Sequence, residues 1–236
     1  MKAFWTRRLP LLLTGLVGLL TLLCAVAVSG VTNPALIKQG FLQFSDTRSF
    51  QVSAVQYEEI AKGLAQYLDG KADKIVWANG GDIFNEKEMT HLADVRGMVA
   101  LLKAVRLTGG GITLCVLAAL YWLEKKRGVP GLLLGLWRGF SAAAALLLLA
   151  AAGLTIWACV DFSGMFWRLH EVLFRNSLWL MDRETDLLAG LMPEPFFVWY
   201  AQTMGKSLLP IAGMMLCLIV AWLKIGRRPE AKEQKA

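Results

Sequence analysis

Apolar and polar residues in this chain come in long blocks rather than in alternation. Four apolar blocks stand out: Leu9 to Val31, Leu107 to Leu123, Gly139 to Val160 and Ser207 to Leu223. Each is long enough to cross a hydrocarbon core as a helix, which takes about 17 to 25 residues. Polar blocks occupy residues 32–97, 124–138 and 161–202, with a polar tail at 224–236. The pattern predicts an all-α integral membrane protein with four transmembrane helices and a small, mainly helical cap. The first block opens on Lys2, Arg7 and Arg8 and carries Ala25-Val26-Ala27, as a secretory leader would. Its apolar run exceeds the roughly 7 to 15 residues of such a leader, so a retained first span is expected.

Local signals place elements inside the polar blocks. Ser53 and Gln56 have capping-box spacing, opening a helix that carries Val55, Ile60, Leu64, Tyr67 and Leu68 and stops at Gly70. Ile75 to Trp77 reads as a short strand before the turn Asn79-Gly80-Gly81. Asn85 and Glu88 form a second capping box, with Phe84 stapling against Met89. A straight helix from there to Leu123 would be about 57 Å long, against about 30 Å of hydrocarbon. A bend at Gly109-Gly110-Gly111 is therefore expected, or a first half lying on the membrane surface with Lys103 and Arg106 reaching head groups. In 161–202, Phe162, Phe166, Leu169, His170, Leu173, Ser177 and Leu180 share one helical face, and Pro193 and Pro195 predict a turn over 192–197.

Charge orients the spans. Lys2, Arg7 and Arg8, then Lys125, Lys126 and Arg127, then Lys224, Arg227, Arg228, Lys232 and Lys235 mark the cytoplasmic side by the positive-inside rule. Both termini are therefore expected in the cytoplasm, with 32–97 as an extracytoplasmic cap and 161–202 as an extracytoplasmic, aromatic-rich segment. The net charge of +7 is then largely a topology signal with some attraction to anionic membrane lipid, and no nucleic-acid partner is expected. A hydrophobic content of 56% fits a multi-pass protein of the cell membrane.

Candidate chemistry is sparse. The four cysteines, Cys24, Cys115, Cys159 and Cys217, fall in the apolar blocks, so neither a disulfide framework nor a cysteine nucleophile is expected in the outer segments. No Gly-Xaa-Ser-Xaa-Gly elbow occurs. The two histidines, His91 and His170, both fall in outer segments. Histidine exchanges protons near neutral pH without special tuning. Asp94 stands three residues beyond His91, a spacing that suits a carboxylate holding the imidazole, although it equally suits a solvated helix surface. His170 lies among Phe166, Trp167, Phe174 and Trp179, as an aromatic belt would also place it. A haem carrier would need histidines inside the spans, and a di-iron site would need two Glu-Xaa-Xaa-His repeats, so neither fits. A zinc-dependent hydrolase and a non-enzymatic scaffold with a partner-binding cap stay open.

The string from Phe84 to Val95, FNEKEMTHLADV, resembles the bacterial lipoprotein intramolecular transacylases, as do FWRLHEVLFRNSLWL from Phe166 to Leu180, Asp186, and PEPFF from Pro193 to Phe197. Leu92 and Arg183 depart from that family, which often has Met after the first histidine and Pro between the Trp and the Asp. The resemblance implies an acyltransferase with four spans under an extracytoplasmic cap and two catalytic histidines at the boundary. It implies transfer of the sn-2 acyl chain of a diacylglyceryl-modified lipoprotein to the α-amino group of its N-terminal cysteine, giving a lyso-form lipoprotein. His91 and His170 are then the catalytic pair, with no cofactor or metal. Asp94 would favour His91 as base, leaving His170 as acid or oxyanion donor. Asn176 and Asp186 become candidate orienting groups, and Phe166, Trp179 and Phe197 candidate walls.

Overall fold

The computed structural model describes residues 2–127 and 132–226. The middle of the 124–138 loop and the tail beyond Gly226 lie outside the described residues. The elements run α1 (Lys2–Val31), α2 (Pro34–Phe44), a 3-10 turn (Arg48–Phe50), α3 (Tyr57–Leu68), α4 (Glu86–Arg127), α5 (Leu132–Val160), α6 (Phe162–Leu173), α7 (Leu187–Leu191) and α8 (Glu194–Gly226). Four of these helices contain stretches long and apolar enough to cross a membrane: Leu11–Val31, Glu86–Leu123, Gly135–Val160 and Glu194–Ala221. The all-helical expectation holds, and the chain divides into two compact units.

One unit combines 1–23, 105–155 and 208–236. Apolar surface in lipid gives little drive for helix association, so close backbone approach through small residues matters. A Cβ added at Gly15 would fall 2.8 Å from the Phe140 backbone, and one at Gly139 would fall 2.5 Å from the Leu11 carbonyl oxygen. Only glycine lets α1 and α5 meet so closely. The Ser141 hydroxyl donates to the Leu218 carbonyl at 3.2 Å, linking α5 to α8. Leu19, Ala143, Ala144 and Met215 fill the small core.

The other unit combines 24–104 and 156–207. Its core gathers Ile37 and Phe41 of α2, Ile60, Leu64 and Leu68 of α3, Leu92 of α4, Leu188 and Leu191 around α7, and Phe196 of α8. Helix α2 was not anticipated, although Asn33-Pro34 announces it: the Asn33 side chain accepts from the Ala35 and Leu36 amides, and Pro34 sits in the first turn where its missing N–H costs nothing. Gln56 accepts from both the amide and the hydroxyl of Ser53, so that capping contact forms, and α3 starts at Tyr57. Gly70, at φ +77, lets the chain leave α3 in a left-handed conformation. Ile75 to Ile83 forms a minimal hairpin around Gly80, with one bridge between Val76 and Asp82.

Four expectations change. The three consecutive glycines do not interrupt α4, which runs unbroken for 42 residues; its first half carries Glu86, Lys87, Glu88, Asp94, Arg96, Lys103 and Arg106, a charge density that hydrocarbon excludes. Lys103 donates to the carbonyl and carboxylate of Asp69 instead of reaching toward head groups. Helix α6 ends at Leu173, so Ser177 and Leu180 are not on its face. Helix α8 begins at Glu194 with Pro195 in its first turn, which leaves only Met192 and Pro193 between α7 and α8.

Candidate active site

His91 is positioned by the start of α4. The Asn85 side chain accepts from the Glu88 amide at 2.9 Å, and Glu88 accepts from the Asn85 amide at 2.7 Å, completing the expected capping box. The second Glu88 oxygen accepts from the Leu188 amide at 2.6 Å, so one buried carboxylate terminates both α4 and α7. Three residues later His91 turns inward, only 9% exposed. Its ring lies 4.7 Å from Phe174 and 6.5 Å from His170, the two imidazoles being roughly parallel at 24°.

His170 reaches the same place from α6, whose N-terminus is capped by Asp161 accepting from the Gly164 amide. Its Nδ1 lies 2.7 Å from the Phe166 carbonyl oxygen. A carbonyl can only accept, so Nδ1 carries the hydrogen and Nε2 keeps its lone pair. Phe166 at 4.1 Å, Trp179 at 5.0 Å and Phe174 at 5.5 Å surround the ring, and Phe197 backs Phe166 at 4.8 Å. A mostly apolar cavity of about 610 Å³ opens onto both histidines, with Phe166, Trp179 and Phe197 in its wall. Residues in 32–97 and 161–202 thus converge on one cavity.

Asp94 does not hold His91. It accepts from the Asn176 side-chain amide at 2.9 Å, and the buried His91 Nδ1 has no hydrogen-bond partner among the described residues. Asp94 and Asn176 line a separate groove of about 350 Å³ that shares Met98, Leu173 and Phe174 with the main cavity. Asp186 is also withdrawn from the cavity. It is 4% exposed and accepts from Asn85, Lys87 and the Asp182 amide, tying the loop before α7 to the start of α4. The sequence reading missed Ser163, Arg183 and Glu194 in the cavity wall and the double role of Glu88. Nothing in local spacing announces a carboxylate that caps a helix a hundred residues away.

Burial sets the electrostatics. It holds His91 at about 4, well below an ordinary imidazole, with the neighbouring His170 adding to the effect and Asp94 opposing it. Burial also lowers His170, and its bond to the Phe166 carbonyl offsets part of this. Both rings are therefore neutral at neutral pH. Among the described residues no three His, Cys, Asp or Glu side chains converge as a zinc site would need.

Known structures share this architecture. The membrane-integral lipoprotein intramolecular transacylase Lit from Bacillus cereus, solved in meso, is 19% identical, with 95% of this chain and 99% of that one covered at a TM-score of 0.70. Two variants of the same Bacillus cereus protein, with a histidine replaced by arginine or by alanine, are also 19% identical and align with TM-scores of 0.63, covering 94% and 95% of this chain and 94% and 96% of theirs. At that identity the likeness establishes the fold. No curated protein sequence matches the chain. The sequence pattern of one family does match residues 11–197, and by it the chain belongs to the lipoprotein intramolecular transacylase Lit family.

Proposed function

We propose that the protein transfers the sn-2 acyl chain of a diacylglyceryl-modified lipoprotein to the α-amino group of that lipoprotein's N-terminal cysteine, leaving a lyso-form lipoprotein. The observation that carries this reading is the convergence of two neutral imidazoles on one apolar, aromatic cavity large enough for lipid. Charge in the loops supports placing both termini in the cytoplasm and the cavity at the extracytoplasmic face of the cell membrane. There membrane lipid would border it.

The chemistry is demanding. Counting N, Cα, Cβ, S, two glyceryl carbons, the ester oxygen and the acyl carbon, the tetrahedral intermediate closes an eight-membered ring. A rigid enclosure that folds the substrate can recover much of an orientation cost worth up to about 7 to 11 kcal/mol. The geometry supports a division of labour opposite to the one that Asp94 suggested. Nε2 of His170, left unprotonated by the Phe166 carbonyl, takes a proton from the amine as nitrogen attacks the ester carbon. His91, neutral and with its Nδ1 buried out of reach of a substrate, offers the N–H of its other ring nitrogen to the developing oxyanion, a role that suits an imidazole of depressed pKa. As the intermediate collapses, the amide forms, the bond from acyl carbon to glyceryl oxygen breaks, and His170 returns its proton to that oxygen. Phe166, Trp179 and Phe197 keep water out.

The test is the lipid pattern on the N-terminal peptide of a reporter lipoprotein, read by tandem mass spectrometry in cells that make diacylated lipoproteins and lack this activity. An N-acyl, S-monoacylglyceryl peptide is expected with the intact protein. His170→Gln and His91→Gln should each lose on the order of 10²- to 10⁴-fold in turnover while still folding. Near-normal activity in both variants would sink the mechanism, and an unmodified diacylglyceryl peptide beside well-expressed protein would sink the function.

A further inference from the structure

We propose that Arg183 forms an anion-recognition point at the cavity wall that selects lipoproteins bearing an acidic side chain within the first residues after the lipidated cysteine. The proposal rests on the acyl-transfer reading, because that reaction places the substrate's cysteine at the histidines and sends its polypeptide outward along the same cavity.

Three observations carry it. Among the described residues lining the cavity, Arg183 has the one fixed positive charge: both histidines are neutral there, and the Glu194 carboxylate is already bonded by the Ser163 hydroxyl at 2.7 Å. Secondly, Arg183 is exposed, and its side chain makes no ion pair or hydrogen bond with any described residue. Its charge still reaches Asp46, whose carboxyl is held at about 2, chiefly by the two-pronged bond from Arg48 and to a lesser degree by Arg183 itself. Arg48 holds Asp46 in that two-pronged bond, which leaves the Arg183 fork without a carboxylate partner although Asp182 and Glu184 flank it in the chain. Thirdly, the backbone under Arg183 is fixed. The Asp182 amide donates to the Asp186 carboxylate at 2.9 Å, the Asp186 amide donates to the Asp182 carbonyl at 2.8 Å, and Asp186 is anchored to Lys87 and Asn85. A guanidinium on such a base keeps its fork available for a carboxylate, which it can grip with two parallel bonds.

Extended peptide advances about 3.3 to 3.6 Å per residue, and an arginine side chain reaches roughly two residues' worth of that. Positions two to four of the lipoprotein, counting the cysteine as one, are the ones to vary.

The test uses the full-length protein in uncharged detergent and synthetic diacylglyceryl-cysteinyl peptides that differ only in Asp, Asn or Lys at positions two to four. Turnover is read by mass spectrometry and binding by anisotropy of a labelled peptide, each relative to the Asn peptide. The intact protein should favour Asp over Lys by roughly fivefold at low salt, with the ratio shrinking as salt rises, the scale expected of an exposed ion pair. Arg183→Ala should bring the ratio near one, Arg183→Glu should reverse it, and Arg183→Lys should keep its sign. An unchanged ratio in Arg183→Ala and Arg183→Glu overturns the proposal. So does a Glu-variant defect that appears only in vesicles of anionic lipid, which would assign the arginine to the membrane surface. Loss of turnover on every peptide with the binding ratio intact would count against acyl transfer, not against the anion site.

Discussion

Glu88 is the residue whose removal should tell most about how this site is built. It is 1% exposed, and its two oxygens accept from the amides of Asn85 at 2.7 Å and Leu188 at 2.6 Å. Glu88→Ala would strand both donors away from water, at about 1 to 3 kcal/mol each, or roughly 2 to 6 kcal/mol together. Set against a typical total stability of about 5 to 15 kcal/mol, that is a large fraction. Glu88→Gln keeps one acceptor and turns an NH2 group toward the other amide, so about half the cost is expected. Thermal unfolding in detergent should rank the proteins as intact, then Gln, then Ala. Hydrogen exchange read by mass spectrometry should show protection lost together in peptides covering 85–92 and 186–192, with 57–68 little changed. His91 stands one turn beyond Glu88, and Leu188 lines the cavity, so turnover should fall in the same order. If Glu88→Ala lowered the unfolding temperature yet left Leu188 as protected as before, the shared cap would not be what joins α4 to α7, and the reasoning would fail.

Two further outcomes follow from the same packing. Because His91 is held at about 4 when folded against 6.5 when unfolded, its contribution to stability is complete above about pH 6.5 and drains away as the pH falls toward 4, by up to about 1.4 kcal/mol per unit and roughly 3 kcal/mol in all. Unfolding temperatures between pH 7.5 and 4.5 should therefore fall more steeply for the intact protein than for His91→Gln; parallel curves would contradict a buried neutral imidazole. Turnover should also decline on acidification, with its enzyme-side midpoint below 6.5, since His170 is likewise lowered by burial and its Nε2 must be free. Gly40→Ala should destabilise by about 1 to 3 kcal/mol, because its Cβ would fall 2.3 Å from the Phe196 ring, which is wedged against Phe41, Phe197 and Tyr200. Gly97→Ala, with open space around it in the same kind of helix, should instead be neutral or stabilising, and a thermal-shift comparison of the two separates close packing from mere helix preference.

The elements that were legible in the chain are those whose signals are local. The four apolar blocks need only length and hydropathy, and Asn85 with Glu88, Ser53 with Gln56, and Gly70 each act within a few residues. The Asn33-Pro34 start of α2 is equally local. Gly109-Gly110-Gly111 stays inside α4, since glycine lowers helix preference only modestly and packing can offset it: Gly109 closes on Thr21 of α1, a Cβ there falling 2.5 Å from the threonine oxygen.

Sequence alone determined the class of the protein, its two histidines and the aromatic character of their surroundings, because composition and residue type decide these whatever the packing. Tertiary structure alone decided which partner each group meets. Asp94 turned to Asn176, Asp186 to Asn85 and Lys87, and the nitrogen left free on His170 is set by a carbonyl one turn back on α6. Hydrogen-bond partners and burial are properties of three-dimensional neighbourhood, and spacing along a helix shows only which groups could meet.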